Sequence, residues 1–336
     1  MTKKDDKFKS YSFELDDIAT NIYPFDAILD GGFAPGSITN IISESGVGKT
    51  TIALQLAARL AEAGNAVLYI DSEGSVSKQL LASTGAESLI DKKLYYIRKS
   101  TFSEVEEVID YYLQNIDLKF IFIDSITCLI HDGFVNLNKS KSNDEQKGIS
   151  ITTNNTNYDS RRFGFFMKKY NAIIKQRDIC MVIINQYRNK VDMKIGTVLT
   201  MASGKTVKYI SDVIISIAPL KGTGKYKDFK DIKKLSNGAE LELEIIKSNR
   251  LAPHKRLPFY LIYGRGISVL YSSIYALIKL GKLTESNNYF TFTNSNSVEI
   301  KFHGAEELNS TIWECLDETD INEIKNYYNN EVSNTY

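Results

Sequence analysis

Between residues 38 and 218, short apolar runs alternate with longer stretches in which apolar positions recur at helical spacing. The apolar runs predict strands at 38–42, 66–71, 94–97, 119–124, 179–185 and 210–217. The stretches between them predict helices at 49–63, 77–85, 103–115 and 160–177. Such alternation is typical of βαβ units, and strands that are apolar throughout indicate a sheet buried on both faces. The sequence therefore predicts an α/β fold with a mainly parallel central sheet flanked by helices.

Two long segments interrupt this alternation. Residues 131–160 hold many Asn, Ser, Thr and Lys, whereas residues 187–207 are basic. We expect both to be loops, and loops of this length inside a compact domain are typically functional.

After Pro219 the pattern changes again, and it predicts strands at 238–247 and 257–263. From residue 271 a short helix, a hairpin over 282–302 and a terminal helical region predict a small α+β unit. The expected organisation is a short N-terminal segment over 1–22, a core over 23–268 and a small C-terminal domain over 269–336.

Composition restricts the class of protein. The chain carries 41 Lys and Arg against 41 Asp and Glu, so any electrostatic attraction for nucleic acid must be local. The three cysteines, Cys128, Cys180 and Cys315, have no metal or redox spacing, and we expect reduced thiols in an intracellular compartment. No apolar run is long enough to span a membrane, so a membrane partner is not expected.

The most informative segment lies between the first predicted strand and the first long helix. It reads Ser43-Glu44-Ser45-Gly46-Val47-Gly48-Lys49-Thr50-Thr51. A strand, a glycine-rich turn and a helix N-terminus together indicate a phosphate-binding loop, and all nine positions are candidate nucleotide contacts. Lys49 is expected to reach the outer phosphates and Thr50 to hold Mg²⁺, so ATP and Mg²⁺ are the predicted cofactors. Ser43 departs from the usual pattern, which begins with Gly, and a serine fits there if its φ is negative.

Two later strands end in acidic residues. Asp124 follows an apolar strand and is expected to support Mg²⁺ through water. Glu73 follows the strand after the phosphate loop and is our candidate for the base that polarises the attacking water. The alternative is that Asp71 and Glu73 cap the next helix and match its N-terminal charge.

The strand predicted at 179–185 also ends in a polar side chain, an amide, at the same edge of the sheet. Gln186 ends the 179–185 run directly before the basic segment. We expect it to sense the γ-phosphate and to signal its presence to residues 187–207. The alternative is an ordinary polar strand end.

The order of these elements resembles the RecA family of ATP-dependent homologous-recombination proteins. The resemblance covers roughly residues 23–280, beginning at Tyr23-Pro24-Phe25-Asp26. Its most specific parts are Lys247-Ser248-Asn249-Arg250-Leu251-Ala252-Pro253-His254-Lys255 and Phe259-Tyr260-Leu261-Ile262-Tyr263-Gly264-Arg265-Gly266-Ile267. That combination is similar to bacterial RecA and its phage relatives, and it is not general among P-loop ATPases.

The resemblance implies a RecA-like P-loop ATPase core with a small α+β C-terminal unit. In this family Lys49 and Thr50 would bind phosphate and Mg²⁺, and Asp124 would support the metal. Glu73 would activate water, and Gln186 would couple the nucleotide to DNA. Lys247, with Arg250 nearby, would reach the ATP of a neighbouring subunit.

The resemblance also implies a DNA interface and a subunit interface. Residues 131–160 and 187–207 would be the two DNA-binding loops, and Tyr209 would lie between subunits. The candidate DNA contacts are Arg161, Arg162, Arg188, Lys190, Lys194, Lys205 and Lys208. Such a basic strip predicts salt-dependent binding to the DNA backbone with little readout of bases, and the alternative is a solvated charged surface.

Three departures set this chain apart within the resemblance. Ser43 replaces the first glycine, and only about 20 residues precede the core, so a subunit-docking element at the N-terminus would be short. Asn249 stands where the second lysine of the cross-subunit pair is expected, with Arg250 beside it. These features suggest a compact, divergent member such as a phage-encoded UvsX-like recombinase, in the cytoplasm of a bacterium or a phage-infected host.

The predicted function is an ATP-dependent recombinase. It would form helical filaments on single-stranded DNA and exchange that strand with a homologous duplex, assisted by single-strand-binding or loader proteins. One alternative is a regulatory or paralogous DNA-dependent ATPase without strand exchange. Others are a hexameric helicase-type motor and a nucleotide-gated binding module that has lost hydrolysis.

Overall fold

The structure is a computed structural model, and it describes residues 16–130, 155–192, 196–201, 204–220, 237–287 and 289–333. A large sheet contains the strands β1 (Ile38–Ser43), β2 (Val67–Asp71), β3 (Leu94–Arg98), β4 (Phe120–Asp124), β5 (Cys180–Asp192), β7 (Val213–Pro219), β8 (Gly238–Ser248), β9 (Arg256–Ile262) and β10 (Gly266–Ile267). Across the sheet their order is β3-β2-β4-β5-β1-β7-β8-β9-β10. The first six of these run parallel, and the last three add antiparallel pairs at one edge. The α/β prediction with a mainly parallel sheet is confirmed.

Helices lie on both faces of this sheet, and others belong to the C-terminal unit. The helices are α1 (Tyr23–Ile28), α2 (Lys49–Glu62), α3 (Lys78–Ser83), α4 (Phe102–Asn115), α5 (Asn155–Arg177), α6 (Gly204–Ile210), α7 (Val269–Lys279), α8 (Gly304–Cys315) and α9 (Glu318–Ser333). Alternate residues of β4 show the two faces, because Phe120 and Phe122 belong to one apolar cluster whereas Ile121 and Ile123 belong to the other. The continuous apolar runs of the sequence therefore do mark strands buried on both sides.

Helix α4 illustrates how local sequence places a helix on the sheet. Thr101 caps it by accepting from the Glu104 N–H, while the Glu104 carboxylate accepts from the Thr101 N–H, which forms a capping box. Phe102, Val105 and Ile109 then fall on one face, and that face is buried. The helix thus begins where its cap dictates and packs along its apolar stripe.

Residues 187–207, expected to be a loop, are largely regular. Strand β5 continues beyond the sheet and pairs antiparallel with β6 (Gly196–Met201), from Tyr187 opposite Met201 to Asp192 opposite Gly196. Helix α6 then takes up residues 204–210, so the strand predicted at 210–217 begins instead at Val213. The loop prediction was wrong because backbone pairing between two strands satisfies their polar groups without requiring an apolar pattern.

The other predicted loop, 131–160, lies mostly outside the described residues. Helix α5 begins at Asn155, five residues before the predicted start, so the end of that segment is helical and not a loop. The first residues of this helix are mostly polar, so the spacing of apolar residues does not show where the helix begins.

The C-terminal unit contains a small antiparallel sheet of β11 (Leu283–Ser286), β12 (Tyr289–Thr293) and β13 (Glu299–His303). The predicted hairpin over 282–302 thus has a third strand. Asn294 creates the extra turn, because its side-chain oxygen accepts from the N–H groups of Asn296 and Val298. Within the unit, Tyr328 donates its hydroxyl to the Ser272 carbonyl. The unit packs on the core, since Phe290 and Tyr328 belong to the same apolar cluster as Phe259 of β9.

Of the N-terminal segment 1–22, the structure describes residues 16–22. Ile18 forms an antiparallel bridge with Phe33, and Thr20 donates through both its N–H and its hydroxyl to Asp26. This part of the segment therefore lies against its own core. Among the described residues, none of the helices has the length and apolar character required to cross a membrane.

Candidate nucleotide site and the adjoining hairpin

The phosphate loop connects β1 to α2 at the carboxyl edge of the parallel strands. Gly46 and Gly48 have φ values of 79° and 98°, the left-handed region that glycine tolerates. Gly48 is the N-cap of α2, and no side chain caps that helix. The first N–H groups of a 14-residue helix therefore lack a side-chain acceptor, as expected where an anion binds.

Ser43 is accommodated for two structural reasons. It is the last residue of β1, so its backbone is extended and needs no glycine. Its buried hydroxyl also contacts Lys49, whose Nζ donates to Ser43 Oγ at 3.0 Å and to the Glu44 carbonyl at 2.7 Å. The serine thus adds a ligand for the ammonium group that a glycine could not supply.

The surroundings of Lys49 affect the pKa of its ammonium group, and a bound anion would stabilise the charged form. Burial lowers the pKa of its ammonium group, while Asp124 and Glu73 act in the opposite direction. A phosphate group would replace the carbonyl contacts with a full negative charge. The loop therefore presents a desolvated cation beside a helix N-terminus, as phosphate binding requires.

A contact that the sequence did not predict fixes α2 against β10. Gln55, which is buried, accepts from the Ile267 N–H at 2.7 Å and donates to the Ile267 carbonyl at 2.8 Å. A Cβ on Gly266 would lie 2.3 Å from the Gln55 side-chain oxygen, and one on Gly48 would lie 2.7 Å from a methyl group of Leu261. Gly266 and Ile267 thus pack on α2, and Leu261 of β9 packs on the phosphate loop. The sequence signal for the first contact was a polar residue within the apolar face of α2.

Asp124 lies at the end of β4, and β5 lies between β4 and the strand β1 that leads into the phosphate loop. Its Oδ2 accepts from the Tyr69 hydroxyl at 2.7 Å, whereas its Oδ1 is buried and has no hydrogen-bond partner. Burial raises the pKa of Asp124 to about 6, and the nearby hydroxyl groups of Tyr69 and Thr50 limit the rise.

These residues fit a magnesium-bound nucleotide. An unpartnered buried carboxylate oxygen costs free energy unless a ligand satisfies it, and a hydrated cation is such a ligand. The Thr50 hydroxyl lies beside that carboxylate at the start of α2. Thr50 and Asp124 would therefore hold Mg²⁺ together with the nucleotide.

The two acids that follow β2 have different surroundings. Asp71 is fully buried, and its oxygens accept from the Gly74 N–H and the Tyr96 hydroxyl, each at 2.7 Å. Glu73 is exposed, and its charge raises the pKa of both Lys49 and Asp124.

Asp71 therefore shapes the turn, and Ser77 rather than either acid caps helix α3 by accepting from the Leu80 N–H. The alternative, in which Asp71 and Glu73 cap this helix, does not match the structure, since Asp71 instead binds the Gly74 N–H within the turn. Glu73 is left at the carboxyl edge, within electrostatic reach of the phosphate loop.

Gln186 lies directly beside the first residue of the phosphate loop. The pairing of β1 with β5 places Ser43 opposite Gln186. Beyond Gln186 strand β5 pairs only with β6, so the hairpin leaves the sheet at this point. The amide is therefore the junction between the nucleotide edge and the basic hairpin.

Lys247 lies near the opposite edge of the sheet. It pairs with Ile214, which in turn pairs with Asn40, so it is about 10 Å along the strands from Ser43. Its Nζ donates to the carbonyl oxygens of Lys208, Tyr209 and Ser211 at 3.1, 3.1 and 2.6 Å, at the end of α6. Lys247 is thus directed away from its own chain's phosphate loop.

Arg250 is held within its own chain. Its guanidinium donates to Asp17 at 2.8 Å and to the carbonyl oxygens of Leu29 and Gly32 at 2.9 and 3.3 Å. It lines a cleft of about 450 Å³ together with Lys175 and Asp212, among others. A part in a neighbour's site would require Arg250 to exchange these contacts.

The candidate DNA and interface residues are described unevenly. Arg162 donates to Glu106 at 2.6 Å and lies over the Phe102 ring, so its charge is already paired. Lys208 and Tyr209 are exposed at the end of α6. For the remaining basic candidates the structure gives at most the backbone: Arg161 in α5, Arg188 and Lys190 in β5 and Lys205 in α6, with Lys194 outside the described residues.

Comparison with known proteins agrees with this arrangement. A family model described as the RecA N-terminal domain matches residues 7–268. The protein named Protein RecA from Wolbachia sp. subsp. Brugia malayi is 23% identical over 283 residues, which cover 84% of this chain and 74% of that protein. The corresponding protein of Fusobacterium nucleatum is 25% identical over 287 residues, with 85% and 70% covered. That of Aquifex aeolicus is 24% identical over 277 residues, with 82% and 71% covered.

Proposed function

Because this chain belongs to the RecA family, we propose that it is an ATP-dependent recombinase that forms filaments on single-stranded DNA and exchanges strands with a homologous duplex. One observation carries the proposal. Lys49, Asp124 and Glu73 meet at the sheet edge from which the basic hairpin departs through Gln186. A nucleotide at this edge would therefore lie next to the segment expected to touch DNA.

The chain's own residues divide the chemistry between them. Lys49 and the start of α2 bind the phosphates, and Thr50 and Asp124 hold the metal ion, which when bound neutralises charge on the transferring group. Glu73 accepts a proton from the attacking water, and its exposure leaves it room to do so. Gln186, which lies opposite Ser43, would bind the γ-phosphate of a bound nucleotide and transmit its presence to β5 and β6.

The DNA contacts lie along the hairpin and the helix that follows it. Arg188, Lys190, Lys194, Lys205 and Lys208 bind the phosphate backbone, with Arg161 at the start of α5. Such contacts release counterions, so affinity falls steeply as salt increases. Base pairing between the strands, and not the protein, then supplies sequence specificity.

The position of Lys247 supports a nucleotide site shared by two subunits. Because Lys247 lies near the edge opposite its own phosphate loop, it can reach an ATP only on another copy. A head-to-tail arrangement brings opposite edges of successive subunits together, and it builds a helical filament when the rotation between subunits does not close a ring. Tyr209, which is exposed beside Lys247, would lie in the same interface.

The first experiment measures ATP turnover with and without single-stranded DNA. We expect DNA to stimulate the wild type, and Glu73→Gln to lose at least about a hundredfold in turnover while still binding ATP. Glu62→Gln is the matched control, since it removes an exposed carboxylate whose described partner is Arg59. Equal turnover in Glu73→Gln and wild type would remove Glu73 as the base.

A mixing experiment tests the shared site. Lys49→Ala subunits keep Lys247, and Lys247→Met subunits keep Lys49, so each variant alone should be inactive. In an equimolar mixture about a quarter of head-to-tail interfaces combine both intact residues, and turnover should recover to that level. No recovery would refute the cross-subunit role.

Strand exchange distinguishes the proposal from its alternatives. A recombinase should form ATP-dependent helical filaments under the electron microscope and transfer a labelled strand to a homologous duplex. DNA-stimulated turnover without strand transfer would identify a paralogous or regulatory ATPase. Closed rings that unwind forked duplexes would identify a helicase-type motor.

A further inference from the structure

A buried tyrosine contacts the carboxylate that we assign to the metal. Tyr69 is fully buried in β2, and its ring stacks on those of Tyr96 at 6.1 Å and Phe122 at 5.9 Å. Stacking on both sides fixes the ring in one orientation, because interiors this closely packed leave a side chain few alternatives. The hydroxyl of Tyr69 therefore has a fixed position at the carboxyl edge of the sheet.

That hydroxyl makes a single, specific contact. It donates to Asp124 Oδ2 at 2.7 Å, and burial holds the pKa of Tyr69 well above its ordinary value, so the phenol stays a donor. A hydrogen bond from a neutral donor to a carboxylate is short and stronger than one between neutral groups. The contact holds one oxygen of Asp124 and leaves the other, Oδ1, buried without a hydrogen-bond partner.

The packing alone does not require a hydroxyl at this position. A phenylalanine would make the same stacked contacts with Tyr96 and Phe122, and the apolar cluster would gain from losing a polar atom. The hydroxyl is therefore accounted for by Asp124 and not by the core.

A neighbouring pair shows what a structural version of this contact looks like. Tyr96 donates to Asp71 Oδ2, also at 2.7 Å, but the Gly74 N–H and the Arg98 side chain also bind Asp71. Both oxygens of Asp71 are thus satisfied within the chain. Of these two aspartates, Asp124 is the one whose tyrosine leaves an oxygen for a ligand.

We propose that Tyr69 is a positioning residue for the magnesium site, where it anchors one oxygen of Asp124 so that the other serves the hydration shell of the metal. This inference rests on the proposed nucleotide site and adds a residue to it. Residues that orient a metal-supporting side chain affect metal affinity by about 10- to 100-fold when they are replaced.

The test is the binding of a fluorescent ATP analogue as a function of Mg²⁺ concentration, with a parallel titration in EDTA. In Tyr69→Phe we expect the Mg²⁺ concentration at half-maximal effect to rise by about tenfold or more. Affinity in EDTA should stay at the wild-type level, because the phosphate loop is unchanged. Tyr96→Phe is the matched control and should leave both values unchanged.

Two further measurements keep the test decisive. In an Asp124→Asn background, Tyr69→Phe should have no additional effect on Mg²⁺ dependence, because the carboxylate it positions is already absent. Near-ultraviolet circular dichroism checks that the core of Tyr69→Phe is retained. If the spectrum showed a disrupted core and the Mg²⁺ dependence nevertheless stayed at the wild-type value, the proposal would be wrong.

The possible results distinguish a failure of the proposed nucleotide site from a failure of the role of Tyr69. A wild-type chain that binds the analogue without any Mg²⁺ effect would overturn both the proposed site and the role of Tyr69. A wild-type Mg²⁺ effect that Tyr69→Phe keeps, or that Tyr96→Phe loses equally, would overturn the role of Tyr69 alone.

Discussion

Asp124 is predicted to destabilise the nucleotide-free protein at neutral pH, so that Asp124→Asn should increase the free energy of unfolding. The carboxyl is buried, and its pKa is raised from an ordinary 3.8 to about 6. An asparagine cannot ionise, and its amide oxygen can keep the hydrogen bond from Tyr69. The variant thus removes the cost of burying a charge while it retains the shape of the side chain.

The magnitude and its sign follow from the raised pKa. Because the folded chain favours the protonated carboxyl, this group's contribution to stability is complete below about pH 4 and is lost as the pH rises through 6. The difference between about 6 and 3.8 corresponds to about 3 kcal/mol at 25 °C. The gain from Asp124→Asn should therefore grow by about 3 kcal/mol between pH 4 and pH 8.

The assay is urea unfolding in EDTA, followed by circular dichroism at several pH values for wild type and Asp124→Asn. Asp117→Asn is the control, because its carboxylate is 87% exposed and bonds to Lys119. Its difference from wild type should stay flat over the same range. A flat difference for Asp124→Asn, within about 0.5 kcal/mol, would refute the claim that burial strains this carboxylate.

The same substitution should abolish the Mg²⁺-dependent increase in nucleotide affinity. Stability and binding would then change in opposite directions at one residue, as expected where a site stores an unfavourable charge for its ligand. If Asp124→Asn were stabilising yet kept the full Mg²⁺ effect, Asp124 would be a strained residue without a part in metal binding.

Two further predictions concern contacts away from the carboxylate. Gly266→Ala should cost about 3 kcal/mol or more and weaken nucleotide binding, because its Cβ would clash with Gln55. Gly264→Ala, also at a positive φ but with open space around its Cβ, should cost only about 1 kcal/mol. Equal costs at the two glycines would show that the Gln55 contact does not matter. Thr101→Ala should cost about 1 kcal/mol by removing the capping box of α4, with unchanged ATP affinity, and urea unfolding would show no change if the box is not formed in solution.

The sequence predicted the sheet well because its strands are buried on both faces. Short apolar runs rich in β-branched and aromatic residues, such as Phe120 to Ile123, are typical of buried strands. Strands β1 and β4 begin and end within one residue of their predicted bounds. The phosphate loop was equally clear, since its glycines, lysine and threonine act through local geometry. Such features depend on residues that are neighbours in the chain.

The hairpin of β5 and β6 was missed for the opposite reason. Its two strands are stabilised by backbone hydrogen bonds to each other. Because such bonds do not depend on the type of side chain, the sequence shows no alternation of apolar and polar residues there. The third strand of the C-terminal sheet was likewise hidden by the turn at Asn294. In both cases the structure depends on which segments pair, and single-sequence patterns do not encode pairing.

By itself the sequence determined the α/β class, the phosphate loop and the acidic strand ends, because burial and turn geometry act over a few residues. Only the tertiary structure showed that Gln55 binds Ile267 across 212 residues and that Tyr69 holds Asp124 across 55. It alone placed Lys247 near the far edge of the sheet and gave Ser43 a purpose as a ligand of Lys49. These relations depend on strand order and register, which bring distant residues within hydrogen-bonding distance and leave no local trace in the chain.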